Sequence, residues 1–153
     1  MQKSEIVFEH TFKKELEPLL IDLGFSRLSL PQGWIQPEFL YKHNTRNIWF
    51  GCSWDWRDFY FDAELGRLHK MRDVLPRVIV CGFSLIHQLE LASAPQSIEE
   101  QFINVKDRFI ALANNNYENY NKAIADAQNA ETLRLKGYLE EEITSDTELP
   151  FIR

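Results

Sequence analysis

The chain has 153 residues, of which 44% are hydrophobic and 26% are charged, and its formal net charge is −6. This length and composition are typical of one globular domain, and no apolar run reaches the ~18 residues that a membrane-spanning helix needs. Nucleic acids and anionic membranes are bound through basic surfaces, so the acidic balance argues against both as partners. Because the sequence has no run long enough to span a membrane, we expect a cytoplasmic protein.

The acidity is concentrated at the carboxyl end of the chain. Residues 137–153 contain five acidic residues and one arginine, so this segment carries −4 and leaves −2 for the rest of the chain. We predict a single domain over residues 1–139 and an acidic tail over residues 140–153. The tail is either flexible or docks back onto the domain through its last apolar residues.

The first predicted element is an amphipathic helix. Apolar residues recur at spacings of three and four, which is one face of a 3.6-residue period: Phe8, Phe12, Leu16, Leu19, Leu20 and Leu23. Pro18 keeps the phase of this pattern, so it either kinks the helix or restarts it as a first-turn residue. Gly24 fits the position after a helix end, where a left-handed backbone is common.

The middle of the chain predicts an antiparallel β-meander. Ten of the twenty aromatic residues, including all four tryptophans, fall between Trp34 and Phe61. Turn signals at residues 43–46 and 55–58 divide this stretch into three strand-length runs. The first, residues 38–42, is expected at a sheet edge, and the third is expected to end at Gly66.

The central run is apolar on both faces. Ile48, Phe50 and Cys52 alternate with Trp49 and small residues, a pattern typical of a strand covered on both sides. Residues 74–92 are ambiguous, because a β-branched run after Pro76 predicts a strand but residues 83–92 fit either a short helix or another strand.

The carboxyl-terminal part predicts a long helix from Ile98 to about Gln128. It opens with a capping box, in which the Ser97 hydroxyl accepts from the third helical amide and Glu100 reaches back. A shorter helix is expected over residues 131–139, ending near Gly137. The predicted fold is therefore α+β, with an N-terminal helix, a meander of three or four strands, and the long helix packed on one sheet face.

The candidate binding residues lie on and beside the second turn of the meander. Trp56 and Arg57 stand at its tip, and these residue types are favoured anchors of protein interfaces. The plainer alternative is that Trp56 folds back over the sheet while Arg57 pairs with a neighbouring aspartate. Trp49 and Tyr60, together with Tyr41, either form an exposed aromatic patch beside this tip or belong to a second core.

A second candidate site is acidic. Asp62 and Glu64 are two positions apart in the third run, so both are expected to project from the same strand face. Paired carboxylates suit the binding of a hard cation or acid–base chemistry. The simpler interpretation is a solvated strand face, and standard catalytic or cofactor spacings are missing from the sequence. We therefore expect no cofactor and favour a non-enzymatic protein. The alternatives are a metal-dependent or hydrolytic enzyme, or a ligand pocket between the sheet and the long helix.

Residues 8–70 resemble a group of small bacterial domains. The shared features are a helix ending in Leu23-Gly24-Phe25, an aromatic meander, and a strand ending in Glu64-Leu65-Gly66. Some proteins of this kind are immunity proteins found beside polymorphic toxins. The resemblance implies a domain that neutralises a toxin by binding it, and the acidic balance suits a basic nuclease toxin. It assigns no functional residue.

Overall fold

The protein is an α+β domain built on an antiparallel sheet, as predicted. The structure, a computed structural model, describes residues 3–30, 39–55, 60–72, 78–86, 97–114, 117 and 124–145. The helical elements are α1 (Lys3–Thr11), a π-helical segment (Phe12–Leu16), α2 (Glu17–Asp22), α3 (Ile98–Asn114) and α4 (Ile124–Leu135). The strands are β1 (Phe25–Arg27), β2 (Phe39–His43), β3 (Trp49–Asp55), β4 (Tyr60–Met71), β5 (Val78–Ile86) and β6 (Leu139–Ile143).

All strand pairings are antiparallel, in the order β1-β2-β3-β4-β5, with β6 added beside β4. Near Leu68 and His69, β4 pairs with both β5 and β6, so these two strands must lie on opposite edges of β4. Strand β6 therefore occupies the lane of β3, beyond the point where Trp49 pairs with Gly66. The sheet has six strands rather than three or four, because β1 and β6 were not predicted.

Two predictions about the strands are wrong, one about a position in the sheet and one about a strand end. The first meander run is an inner strand, since β1 pairs along its outer side. The third run continues through Gly66 to Met71 rather than ending at the glycine. Gly66 pairs with Trp49 on one side and Gly82 on the other, so the glycine lies inside the strand and does not end it. The described part of the ambiguous region, residues 78–86, forms strand β5, which runs through Gly82.

The main core lies between the sheet and the helices. Phe12 is fully buried at its centre, with its ring centroid 4.1 Å from that of Phe39 and nearly parallel to it. Phe8 stacks on Phe102 of α3 at 5.6 Å, which joins the first and third helices over the sheet. The aromatic meander and the two amphipathic helices thus bury their apolar faces against each other.

A second core lies on the opposite sheet face. Its members have almost no exposed surface and are Leu40, Trp49, Leu68, Val78, Val80 and Ile143. Among the described residues, Leu28 and Leu30 pack against it. Successive residues of a strand point to opposite faces, which is why Trp49 belongs to this cluster while Phe50 belongs to the main core.

The first helix restarts at its proline. Pro18 lies in the first turn of α2, and the preceding turn is π-helical, with the Glu17 amide donating to the Phe12 carbonyl. Because proline has no N–H, a locally widened turn accommodates it without losing the buried face. Gly24 has a φ of +91° and its amide donates to the Ile21 carbonyl at 3.1 Å, as predicted for a helix end.

A polar contact ties α2 to the sheet beneath it. The phenol of the fully buried Tyr41 donates to the Glu17 carboxylate, which also lies 3.8 Å from the Arg27 guanidinium. Burial raises the pKa of the Tyr41 phenol, and the Glu17 carboxylate raises it further. The buried hydroxyl is therefore a neutral donor to a charged acceptor, which is a strong type of hydrogen bond.

In the described residues, the predicted long helix corresponds to α3 and the first part of α4. Helix α3 ends at Asn114, and Tyr117 has a left-handed backbone with a φ of +59°, which a right-handed helix cannot continue through. The Tyr117 amide donates to the Leu112 carbonyl at 2.9 Å, and the buried side chain joins the main core. At the other end, the Ser97 hydroxyl accepts from the Glu100 amide at 3.2 Å, so the predicted N-cap is confirmed.

The acidic tail contributes to the sheet. Residues 139–143, which the sequence places around the start of a flexible tail, form β6 and bury Leu139 and Ile143. Residues 146–153 lie outside the described part of the chain. Within the described residues, no helix has the length and apolar character needed to cross a membrane.

Candidate functional site

Trp49, one of the predicted binding residues, is fully buried. Its ring belongs to the second core, and its indole N–H donates to the Asn47 side-chain oxygen at 3.2 Å. The Lys42 ammonium lies 5.8 Å from the ring centroid. Tyr41 faces the main core on the other side of the sheet, so these two rings do not form one patch. For Trp49, the structure therefore fits a second core.

The remaining predicted residues are described only in part. Trp56 and Arg57 lie outside the described residues. Tyr60 begins β4 opposite Asp55, and Asp62 pairs with Ser53, but only their backbone is described.

The acidic pair is likewise only half described. Glu64 pairs with Gly51 and is half-buried, on the sheet face that carries Trp49. Where side chains are described, no three His, Cys, Asp or Glu residues lie close enough together to hold a metal ion.

Three exposed apolar residues lie close together in sequence where α4 ends and β6 begins. Gly137, with a φ of +85°, ends the helix, and its amide donates to the Arg134 carbonyl at 3.0 Å. The Tyr138 amide donates to the Leu133 carbonyl at 2.9 Å, which completes a Schellman motif. Leu133, Leu135 and Tyr138 are 36%, 77% and 62% exposed, and we call these three residues the corner surface.

Charged groups border the corner surface. The Arg134 guanidinium donates to the Glu131 carboxylate, with an Nε to Oε2 distance of 3.0 Å. This hydrogen bond lowers the pKa of Glu131 and raises the pKa of Arg134, and both side chains are exposed. An apolar centre with a charged border is the usual composition of a protein-binding surface.

The corner surface is attached to the sheet through backbone and side-chain contacts. The Arg72 amide donates to the Tyr138 carbonyl at 3.1 Å, just before β6 begins. Further along β6, the Glu142 carboxylate accepts from the Asn47 amide group at 3.2 Å and lies 3.6 Å from the Arg67 guanidinium. The backbone of Tyr138 is therefore held in place by the sheet.

The spacing of two leucines in the sequence indicates this surface, although the helical periodicity alone does not reveal it. Leu133 and Leu135 are two positions apart, and residues at that spacing do not share a helix face. Ala130 is buried, so the inner face of α4 passes through position 130 and cannot also contain both leucines. At least one leucine had to be exposed, and the glycine that ends the helix then brings Tyr138 to the same corner.

No family model matches the chain, and neither the curated proteins nor the solved structures with which it was compared include a match.

Proposed function

We propose that this protein acts without catalysis by binding another protein, and that the corner surface contacts the partner. The observation that supports this is the exposure of Leu133, Leu135 and Tyr138, which lie close together in sequence around the end of α4. Single exposed apolar residues are common, but contiguous ones bordered by charge typically mark interfaces. Tyrosine is also enriched among the residues that dominate binding energy.

The partner that fits best is a bacterial toxin, which the protein would neutralise. This part of the proposal depends on the resemblance of residues 8–70 to small bacterial domains of unknown function, some of which are immunity proteins, and on the net charge of −6. An acidic protein associates faster with a basic partner, because complementary charges steer the encounter. Trp56 and Arg57, in the second turn that the sequence predicts, are proposed as a second contact with the same partner.

The experiment is a calorimetric titration of the purified protein with the product of a toxin gene adjacent to its own. Tyr138→Ala should weaken binding by at least about thirtyfold, the effect of losing a residue worth about 2 kcal/mol. Leu135→Asp should do the same, since it places a charge in the apolar centre. Ile21→Ala is the matched control, because Ile21 is 60% exposed but lies on α2.

Thermal unfolding of each variant separates a lost contact from a lost fold. We expect all three variants to keep a melting temperature close to that of the unmodified protein, since the substituted side chains are exposed. Unchanged affinity in both corner variants would exclude the corner surface. If only Trp56→Ala and Arg57→Ala weaken the complex, these two residues form the contact instead.

A further inference from the structure

The imidazole of His43 lies at a junction of several elements. It is the last residue of β2, and its ring meets the Phe25 ring of β1 edge-on, with centroids 5.0 Å apart. It also approaches Tyr117, beyond the end of α3, at 6.2 Å. Gly24 passes so close that a Cβ there would lie 3.2 Å from the imidazole Nε2. The ring position is therefore fixed by neighbours on several sides.

The ring accepts two backbone hydrogen bonds from the turn that follows it. The amides of Thr45 and Arg46 both donate to Nδ1 of His43, at 3.2 Å and 3.1 Å. An imidazole nitrogen can accept in this way only while it carries no proton. The proton of the neutral ring is then on Nε2, the nitrogen that faces Gly24. The imidazole thus joins the turn to the segment between α2 and β1.

The charges around this ring oppose its protonation. Burial lowers the pKa of His43 most, and the nearby cations Arg46 and Lys42 lower it further. The Leu23 backbone acts in the opposite direction. The Arg46 guanidinium lies 5.5 Å from the centroid of the Tyr117 ring, whose phenol is the titratable group that approaches from the α3 side. From the segment joining α2 to β1 and from the start of β1, the backbone of Gly24 and the uncharged ring of Phe25 lie beside His43.

We propose that His43 is a proton-sensitive latch whose neutral ring holds the β2–β3 turn closed and whose protonation at Nδ1 releases it. A proton on Nδ1 occupies the lone pair that the Thr45 and Arg46 amides use, so both amides lose their acceptor. The Thr45 hydroxyl, 3.4 Å from Nδ1, can accept from that proton but does not replace the two amide hydrogen bonds. Protonation also makes the imidazole a cation beside Arg46. Repulsion between these two cations favours movement of the Arg46 side chain away from the Tyr117 ring. The turn is closed at neutral pH and opens as the pH falls below about 6.5, the ordinary value for histidine.

Release of the turn has a consequence for β6. The turn includes Asn47, whose side chain joins the Trp49 indole to the Glu142 carboxylate. Acidification should therefore loosen the contact between the turn and β6 while the two cores stay intact. This inference does not depend on the proposed function, because it concerns the protein without a partner.

The test is amide hydrogen exchange measured by NMR on the full chain between about pH 7.5 and about pH 5. The protection factors of the Thr45 and Arg46 amides should fall by roughly three- to tenfold, the effect of losing one ordinary hydrogen bond each. The fall should follow the titration of the His43 ring nitrogens, recorded on the same sample. Amides of β3 and β4 should keep their protection.

Two variants assign the effect to this ring. In His43→Asn the side-chain oxygen can still accept from the turn but does not titrate, so protection of the turn amides should not change with pH. His10→Asn removes an exposed histidine of α1 and should leave the step in place. The proposal fails if the unmodified protein shows no loss of protection while His43 titrates, or if His43→Asn shows the same step. Should His43→Asn not fold, the measurement on the unmodified protein alone decides.

Discussion

Removal of the Phe12 ring tests the account of the main core most directly. Phe12 is fully buried in the π-helical segment, and its ring lies 3° from parallel with that of Phe39 at 4.1 Å. Truncation of a buried phenylalanine to alanine costs about 3–5 kcal/mol. Loss of the stacked pair adds about 0.5–1.5 kcal/mol to the burial term, so we expect Phe12→Ala to lie near the top of that range, at about 4–5 kcal/mol.

The free energy of unfolding is measured by urea denaturation followed by tryptophan fluorescence. Ile103→Ala is the matched control, because Ile103 is 55% exposed on α3 and its truncation should change stability by less than about 0.5 kcal/mol. Phe12→Leu keeps much of the apolar volume without the ring, so it should fall between these two variants. A loss below about 1 kcal/mol for Phe12→Ala would contradict the packing described here.

Three further predictions concern the helix ends and the buried phenol. Gly24→Ala should destabilise the protein more than Gly137→Ala in thermal unfolding, because both have positive φ but an added Cβ meets His43 only at Gly24; equal losses would refute this. Ser97→Ala should cost about 1 kcal/mol of unfolding free energy and Ser97→Gly only a few tenths, and equal costs would mean that the N-cap bond to Glu100 contributes little. Stability should fall as the pH rises past 10.0, the ordinary pKa of tyrosine, because the folded state raises the pKa of Tyr41 and so favours the neutral phenol. In denaturant titrations, Tyr41→Phe should reduce this dependence of stability on alkaline pH. An unchanged dependence would assign it to another group.

The sequence predicts those elements whose local pattern agrees with their packing. The apolar face of the first helix, the restart at Pro18, the left-handed Gly24 and the N-cap at Ser97 are each determined within a few residues. The alternation around Trp49 and Phe50 also predicts two covered faces, because a central strand needs apolar residues on both sides. The α+β class follows from these elements together.

The remaining features depend on contacts between distant parts of the chain. The periodic pattern of the predicted long helix continues past Asn114, yet Tyr117 turns into the main core with a left-handed backbone. The asparagine run there is a poor helix former, which is the one local sign of the break. Strand β6 carries three glutamates and is fixed by pairing with β4, so composition alone favoured a mobile tail. The corner surface follows from both corrections, since it lies between α4 and β6.

The position of β6 affects the order in which the protein folds. Strand β6 completes the lane that β3 leaves open beside β4, and this contact spans the greatest sequence separation of any described strand pairing. A chain emerging from the ribosome can form the hairpins of β2, β3 and β4 early, but Leu68 and its neighbours stay uncovered until Ile143 has been synthesised. Strand β6 thus completes the sheet after the other described strands have been synthesised, and a nascent chain that stalls before it leaves an apolar strand edge of β4 uncovered.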